Sequence, residues 1–223
     1  MKQTITQAVG NADPKVIQMV ELINEEGQEL AARHNWQVLT QESTFTTVAT
    51  ESQGLITTIA GVDFNFVVNE TVWNRSRQRP LFGPLSASQW QTVKAQFAQS
   101  PWGQYRIRGN TFLIYPVPVA GDSIYFEWCT KYWCTDTTGV TGRSAMTVDT
   151  DIGKLDERLL TLGGIWRWKK AQKLDFEGDQ EKYEIAVNDA IARDGSKPIL
   201  SLGGGGTDFF PGYLVRAGNY NVP

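Results

Sequence analysis

Apolar residues recur at helical spacing near the start of this chain and again twice after residue 150, while the residues between read as β-strands. This segregation constrains the fold more than any other feature. A helix with one apolar stripe must bury it against a partner, so the first helix has to pack on the last two. The β-rich stretch then becomes an insertion. The expected class is α+β: a small α-helical bundle with an inserted antiparallel β-rich domain and an extended C-terminal tail. The boundaries this implies are 1–39 and 150–195 for the bundle, 40–149 for the β-rich domain and 196–223 for the tail.

The first helix has clear start signals, Asp13 as N-cap and Pro14 at the first helical position. Val16, Met19, Val20, Ile23 and Leu30 form its stripe, with Glu21, Glu25, Glu26 and Glu29 expected mostly on other faces, and it should run to about Arg33. Gly27 falls on the stripe, where it lowers helix propensity but lets a neighbour come close. Leu155, Leu159, Leu162 and Trp166 line the second helix, which ends near Lys173. Phe176, Tyr183, Val187 and Ile191 line the third, which Gly195 is placed to stop. The expected bundle contacts are Leu159, Leu162, Trp166, Phe176 and Tyr183.

In the middle, Phe64, Phe66 and Val68 alternate as in a half-buried strand. Ser86 and Gln89 fit a capping box ahead of a helix carrying Trp90, Val93 and Phe97. Gly109-Asn110 and Gly121-Asp122 mark turns in a meander that runs from Tyr105 to Trp128. The Thr/Gly/Asp-rich residues from 135 to 150 have little to bury.

Little of this suggests catalysis. His34 is the only histidine and no Gly-x-Ser-x-Gly elbow accompanies it. Cys129 and Cys134, five apart in a strand-like run, read as two reduced thiols, and with one distant histidine they make no zinc site. The run Gly203 to Gly206 lacks the Lys-Ser/Thr of a phosphate loop and reads as a linker. No cofactor or metal is expected. A formal net charge of −3 gives no basic footprint for gripping nucleic acid. Arg75, Arg77 and Arg79 are spaced by two, so in extended chain they would project to one side, toward a neighbouring subunit or DNA. The reading set against this, and preferred to it, is a solvated loop, since three charges are too few for a nucleic-acid footprint. In Trp166-Arg167-Trp168-Lys169 the two indoles lie far apart around a helix, so core packing is the expected role of Trp166. No apolar run is long enough to span a bilayer, and the N-terminus lacks a secretory signal, which predicts a protein made in a cytosol and no membrane partner.

The segments TVWNRSRQRPLFGPLSASQW (71–90), YRIRGNTFLIYPVPVAGDSIYFEWCTKYW (105–133) and LDERLLTLGGIWRWKKAQKLDFEGDQEKYEIAV (155–187) resemble the head-to-tail adaptor family of podovirus-type phages, also called tail tubular or head-completion proteins. The most specific part is the last, a Trp-x-Trp-Lys helix followed at once by a helix opening on Asp-Phe. The resemblance implies a structural virion protein of the neck, assembled in the bacterial host cytoplasm. Its partners would be the portal protein, a tail nozzle or tail tubular protein, and itself in a dodecameric ring. Viral DNA would pass through the lumen without sequence-specific binding. The family's tail climbs onto the portal, and Phe209, Phe210, Tyr213 and Leu214 are the residues here that would bind it. The competing reading from the residues is a cell-wall-active or carbohydrate-binding tail module, suggested by the Trp content. It requires middle-region Trp rings that are exposed and coplanar.

Overall fold

The structure is a computed structural model that describes residues 7–96 and 102–195. It is α+β, with antiparallel sheets between helices. Helix α1 (Pro14–Arg33) opens where expected: the Asp13 carboxylate accepts the Lys15 amide at 2.9 Å and Pro14 occupies the first turn. A 3-10 turn (Gln37–Leu39) leads into β1 (Thr40–Thr46), β2 (Ser52–Leu55), the short α2 (Ile56–Ile59), β3 (Phe64–Val67), β4 (Trp73–Asn74) and β5 (Arg79–Pro80). Helix α3 (Ala87–Ala95) carries the reciprocal Ser86/Gln89 capping box. Strands β6 (Gln104–Arg108), β7 (Thr111–Tyr115) and β8 (Ser123–Thr130) follow, then the two-residue strands β9 (Cys134–Thr135), β10 (Gly142–Arg143) and β11 (Ile152–Gly153). Helices α4 (Glu157–Ala171) and α5 (Glu177–Asp194) complete the described chain.

Strand β8 organises the larger sheet. One edge pairs with β1 along its length; the other is shared by β3, against Trp128–Thr130, and β4, against Ile124–Tyr125. Ile124, Phe126 and Trp128 point inward, as period-two alternation requires. The smaller sheet has the order β2-β7-β6. Gly109 and Asn110 both have positive φ, 55° and 63°, the two left-handed residues of a tight hairpin turn. The expected meander stops at β7: β8 does not pair with it but crosses to the other sheet. Phe112 of β7 then meets Phe45 and Phe126 across the gap, ring centroids 5.2 and 5.9 Å apart, and Tyr105 stacks on Phe112. The two sheets close one core in this way. A second departure lies in β3. A bulge between Phe64 and Phe66 resets the alternation, so Val67 is buried and Phe66 is left exposed.

The second core belongs to the helices. Gln18 of α1 meets Gln172 after α4 while Glu26 meets Gly163, so these helices run antiparallel. Residues 131–153 pack with them. Trp133 and Cys134 are completely buried in this core and Met146 lies against it. A Cβ on Gly27 would run into the Trp133 indole, so that glycine lets the ring seat directly on the α1 backbone. The Asn24 side chain accepts the Met146 amide at 2.8 Å, and the Trp133 indole N–H donates to the Ser144 carbonyl at 2.7 Å. The stretch from 135 to 150 buries little, as expected, with Thr135 its one buried residue and Met146 half-buried, but polar contacts tie it down. Asp136 ties its own turn through Thr138, Val140 and Thr141, and Asp151 accepts Arg143 and the amides of Thr147 and Val148.

Candidate functional site

The most constrained polar arrangement lies inside the helical core. Leu159, Trp166 and Tyr183 are buried there, with Leu162 and Phe176 packed against them and the Trp166 and Tyr183 rings 6.1 Å apart. Glu26 is completely buried among these residues. Arg167 Nε donates to its Oε2 at 2.6 Å, and the Tyr183 hydroxyl donates to its other oxygen. The same guanidinium reaches Glu29 and, at 3.3 Å, Glu25. Gly163 makes the approach possible, since a Cβ there would lie 2.5 Å from the Glu26 Cγ. Arg33 adds a link from α1 to Glu184 of α5 at 2.9 Å. A buried charge is tolerable when paired and hydrogen-bonded, and here one carboxylate, one guanidinium and one phenol satisfy each other.

The electrostatics follow from that geometry. The Arg167 hydrogen bond is the main cause holding the Glu29 carboxyl below its ordinary value. Burial opposes the charge on Arg167, but its hydrogen bonds to Glu26 and Glu29 outweigh that and push its pKa up. Burial, then the bond to Glu26, pushes the Tyr183 phenol well above its usual range. A clamp of this kind holds three helices together. Sequence reasoning missed it: Glu26 was expected on another face, and Arg167 only as part of an aromatic-basic run. The signal was the pair Gly163-Gly164, which in a helix of good formers marks a close approach.

Arg75, Arg77 and Arg79 do not project to one side. They surround a tight hairpin between β4 and β5, where Gln78 takes a φ of 54°. Arg75 pairs with Glu42 and lies over the Tyr125 ring at 3.7 Å. Arg77 Nε meets Asp122 at 2.5 Å, and Arg79 stands 5.7 Å from the Trp102 ring. The turn sends the three in different directions, so the extended-chain expectation fails. Arg77 and Arg79 share the wall of a cavity of about 370 Å³ with Pro116, Val117 and Val119.

All eight tryptophans fall in the described residues, and each ring is buried or half-buried. Trp36, Trp90, Trp128, Trp133 and Trp166 are core residues. An exposed coplanar platform for sugars is not formed, which removes the observation that favoured a carbohydrate-binding module. Cys129 and Cys134 are free and buried, and burial raises both thiols, Cys134 to about 11, so neither presents a thiolate. His34 ends α1 with its Nε2 3.3 Å from Asp194 of α5. Among the described residues there is no metal-binding cluster of His, Cys, Asp and Glu. A groove of about 530 Å³ runs between α4, α5 and the 3-10 turn, where Trp36, Leu155, Leu159 and Leu162 stand beside the charged Asp156, Arg158 and Lys182. Phe209, Phe210, Tyr213 and Leu214, and the run Gly203 to Gly206, lie outside the described residues.

Residues 1–197 match the sequence model of the SU10 adaptor protein family, a span that takes in both cores and the Arg167 clamp. The chain belongs to this family. Comparison with curated proteins gives no match. As a member of the SU10 adaptor family it is a structural adaptor of a bacteriophage particle, in agreement with the resemblance carried by residues 71–90, 105–133 and 155–187. No helix among the described residues is long and apolar enough to cross a membrane. The SU10 adaptor match stops at residue 197, so Phe209 and its neighbours lie beyond it.

Proposed function

We propose that this protein forms the head-to-tail ring of the phage neck, a dodecamer joining the portal protein to the tail nozzle or tail tubular protein around the DNA channel. The observation that carries this reading is the adaptor-family match across residues 1–197. Two further features support it. The clamp through Arg167 serves cohesion of the subunit. The net charge of −3 suits a lumen that DNA passes without being held. In this reading Phe209, Phe210, Tyr213 and Leu214 grip the portal, since aromatic anchors dominate many interfaces and a segment that orders on binding wraps a large surface.

A ring needs a head-to-tail contact that closes only at the right angle, and the helices carry no long heptad seam to drive it alone. The pure protein is therefore expected to scatter light as a monomer and to add a twelve-fold collar to purified portal rings in electron micrographs. Deleting residues 203–223 should leave the melting temperature nearly unchanged and strongly weaken portal binding. Failure of the full chain to bind its portal would overturn the proposal. Wild-type docking by the deleted chain would move the grip from the tail to the helices.

A further inference from the structure

The groove between α4 and α5 has no role in the adaptor reading. Leu155, Leu159 and Leu162 form one wall and Trp36 the floor, while Val38 and Ile185 at the mouth are 53 % and 57 % exposed. Open aliphatic side chains beside a concave wall that mixes leucines with Asp156, Arg158, Lys182 and Arg193 mark a seat for a segment of mixed apolar and charged character. At about 530 Å³ the space is several times the roughly 150 Å³ that takes one benzene-sized group.

The chain itself leads into this place. The last two turns of α5, through Ala190, Arg193 and Asp194, form one end of the groove, and α5 stops at Gly195 in extended backbone. The sequence then reads Ser196-Lys197-Pro198-Ile199-Leu200-Ser201-Leu202 before the glycine run. Pro198 prevents the helix from continuing. Extended chain advances about 3.3 Å per residue, so Leu200 reaches some 17 Å from Gly195. The groove wall from Asp194 back to Lys182 is about 18 Å at 1.5 Å per helical residue. By length alone Ile199, Leu200 and Leu202 span the whole groove, and the charge of Lys197 is opposite to that of Asp189 and Asp194 on its wall. A tether this short sets an effective concentration in the millimolar range, which favours the chain's own segment over that of a second copy.

We propose that residues 198–202 of the C-terminal segment dock in the groove between α4 and α5 of the same chain. The glycine run then starts from a fixed point on the groove. This inference does not depend on what the aromatic end beyond that run binds.

The test uses the full chain carrying Ile185→Cys with Leu200→Cys, and in parallel Val38→Cys with Leu200→Cys. Positions 185 and 38 are exposed, and the native thiols are buried and out of reach. Mild oxidation should give an intrachain bridge in at least one pair, at a yield independent of protein concentration. No bridge in either pair, or an interchain dimer that grows with concentration, overturns the proposal, the second by assigning the groove to another copy. As an independent measurement, Leu200→Asp and Ile185→Asp should each lower the melting temperature by about 2–4 °C. Together they should lower it by less than the sum, because both break one contact. Additive losses, or none, overturn it as well.

Discussion

Replacing Arg167 by methionine removes the guanidinium and keeps most of the side chain's bulk, so it isolates the clamp from packing. Glu26 would remain completely buried, with the Tyr183 hydroxyl as its one remaining partner in the clamp. Breaking a buried pair by removing one member costs about 3–5 kcal/mol, because the other charge stays desolvated. The pairs to Glu25 and Glu29 add little: those carboxylates are 62 % and 47 % exposed, and such partners contribute about 0–1 kcal/mol. At about 2–4 °C per kcal/mol for a chain of this size, the melting temperature should fall by about 6–20 °C, read by circular dichroism with a parallel urea titration. The double variant Arg167→Met/Glu26→Met removes both charges and leaves only the Tyr183 hydroxyl without an acceptor, about 1–3 kcal/mol. It should be more stable than Arg167→Met alone. A loss below about 1 kcal/mol for Arg167→Met, or a double variant whose loss equals the sum of the singles, would refute the reasoning.

Three further outcomes follow from the same cores. Trp166→Ala should cost about 3–5 kcal/mol in chemical denaturation, whereas Trp166→Phe should cost much less, because the buried indole N–H makes no hydrogen bond that phenylalanine would lose. Gly27→Ala should destabilise: the gain of about 1 kcal/mol in helix propensity is outweighed by driving a methyl into the Trp133 ring, which its own bond to Ser144 holds in place. Asp151 loses solvation, but the Arg143 guanidinium and the amides of Thr147 and Val148 hold its carboxyl at about 2, below the ordinary 3.8. Its contribution is present above pH 4 and is lost as pH falls from there through 2, so Asp151→Asn should be less stable at neutral pH and show a flatter acid limb in pH-dependent melts.

What was legible in the sequence was local. Asp13 and Pro14, Ser86 and Gln89, and Gly109-Asn110 each act through backbone a few residues away, and each does in the structure what its spacing predicts. The stripes of α4 and α5 were equally readable, since Leu159, Trp166 and Tyr183 need only the 3.6-residue period to be placed. In α1 the period misplaced Met19, which is exposed, while Asn24 and Glu26 turn inward. Long-range choices were not. Nothing near Ser123 says that β8 will abandon β7 for β1, β3 and β4, and the bulge that turns Phe66 outward serves a partner strand more than sixty residues away. Glu26 stands at the edge of an apolar stripe, where one residue of helical phase separates solvent from core. Its burial became decidable only once Gly163 and Arg167 were known to face it. For Arg75, Arg77 and Arg79 the spacing alone could not choose between extended chain and loop; the left-handed Gln78 makes it a turn.

The meeting of Gly27 and Trp133 has a mechanical meaning. A subunit that links two larger bodies transmits a pull only as well as its weakest joint. Here the joint between sheets and helices is filled by a flat indole, seated against bare α1 backbone and bonded at its edge to Ser144, while its own carbonyl accepts the Lys154 amide on the way into α4. Torque applied to the β-rich part therefore reaches α1 and α4 together. Loosening that wedge, as in Trp133→Leu, is expected to uncouple the two cores before either one melts.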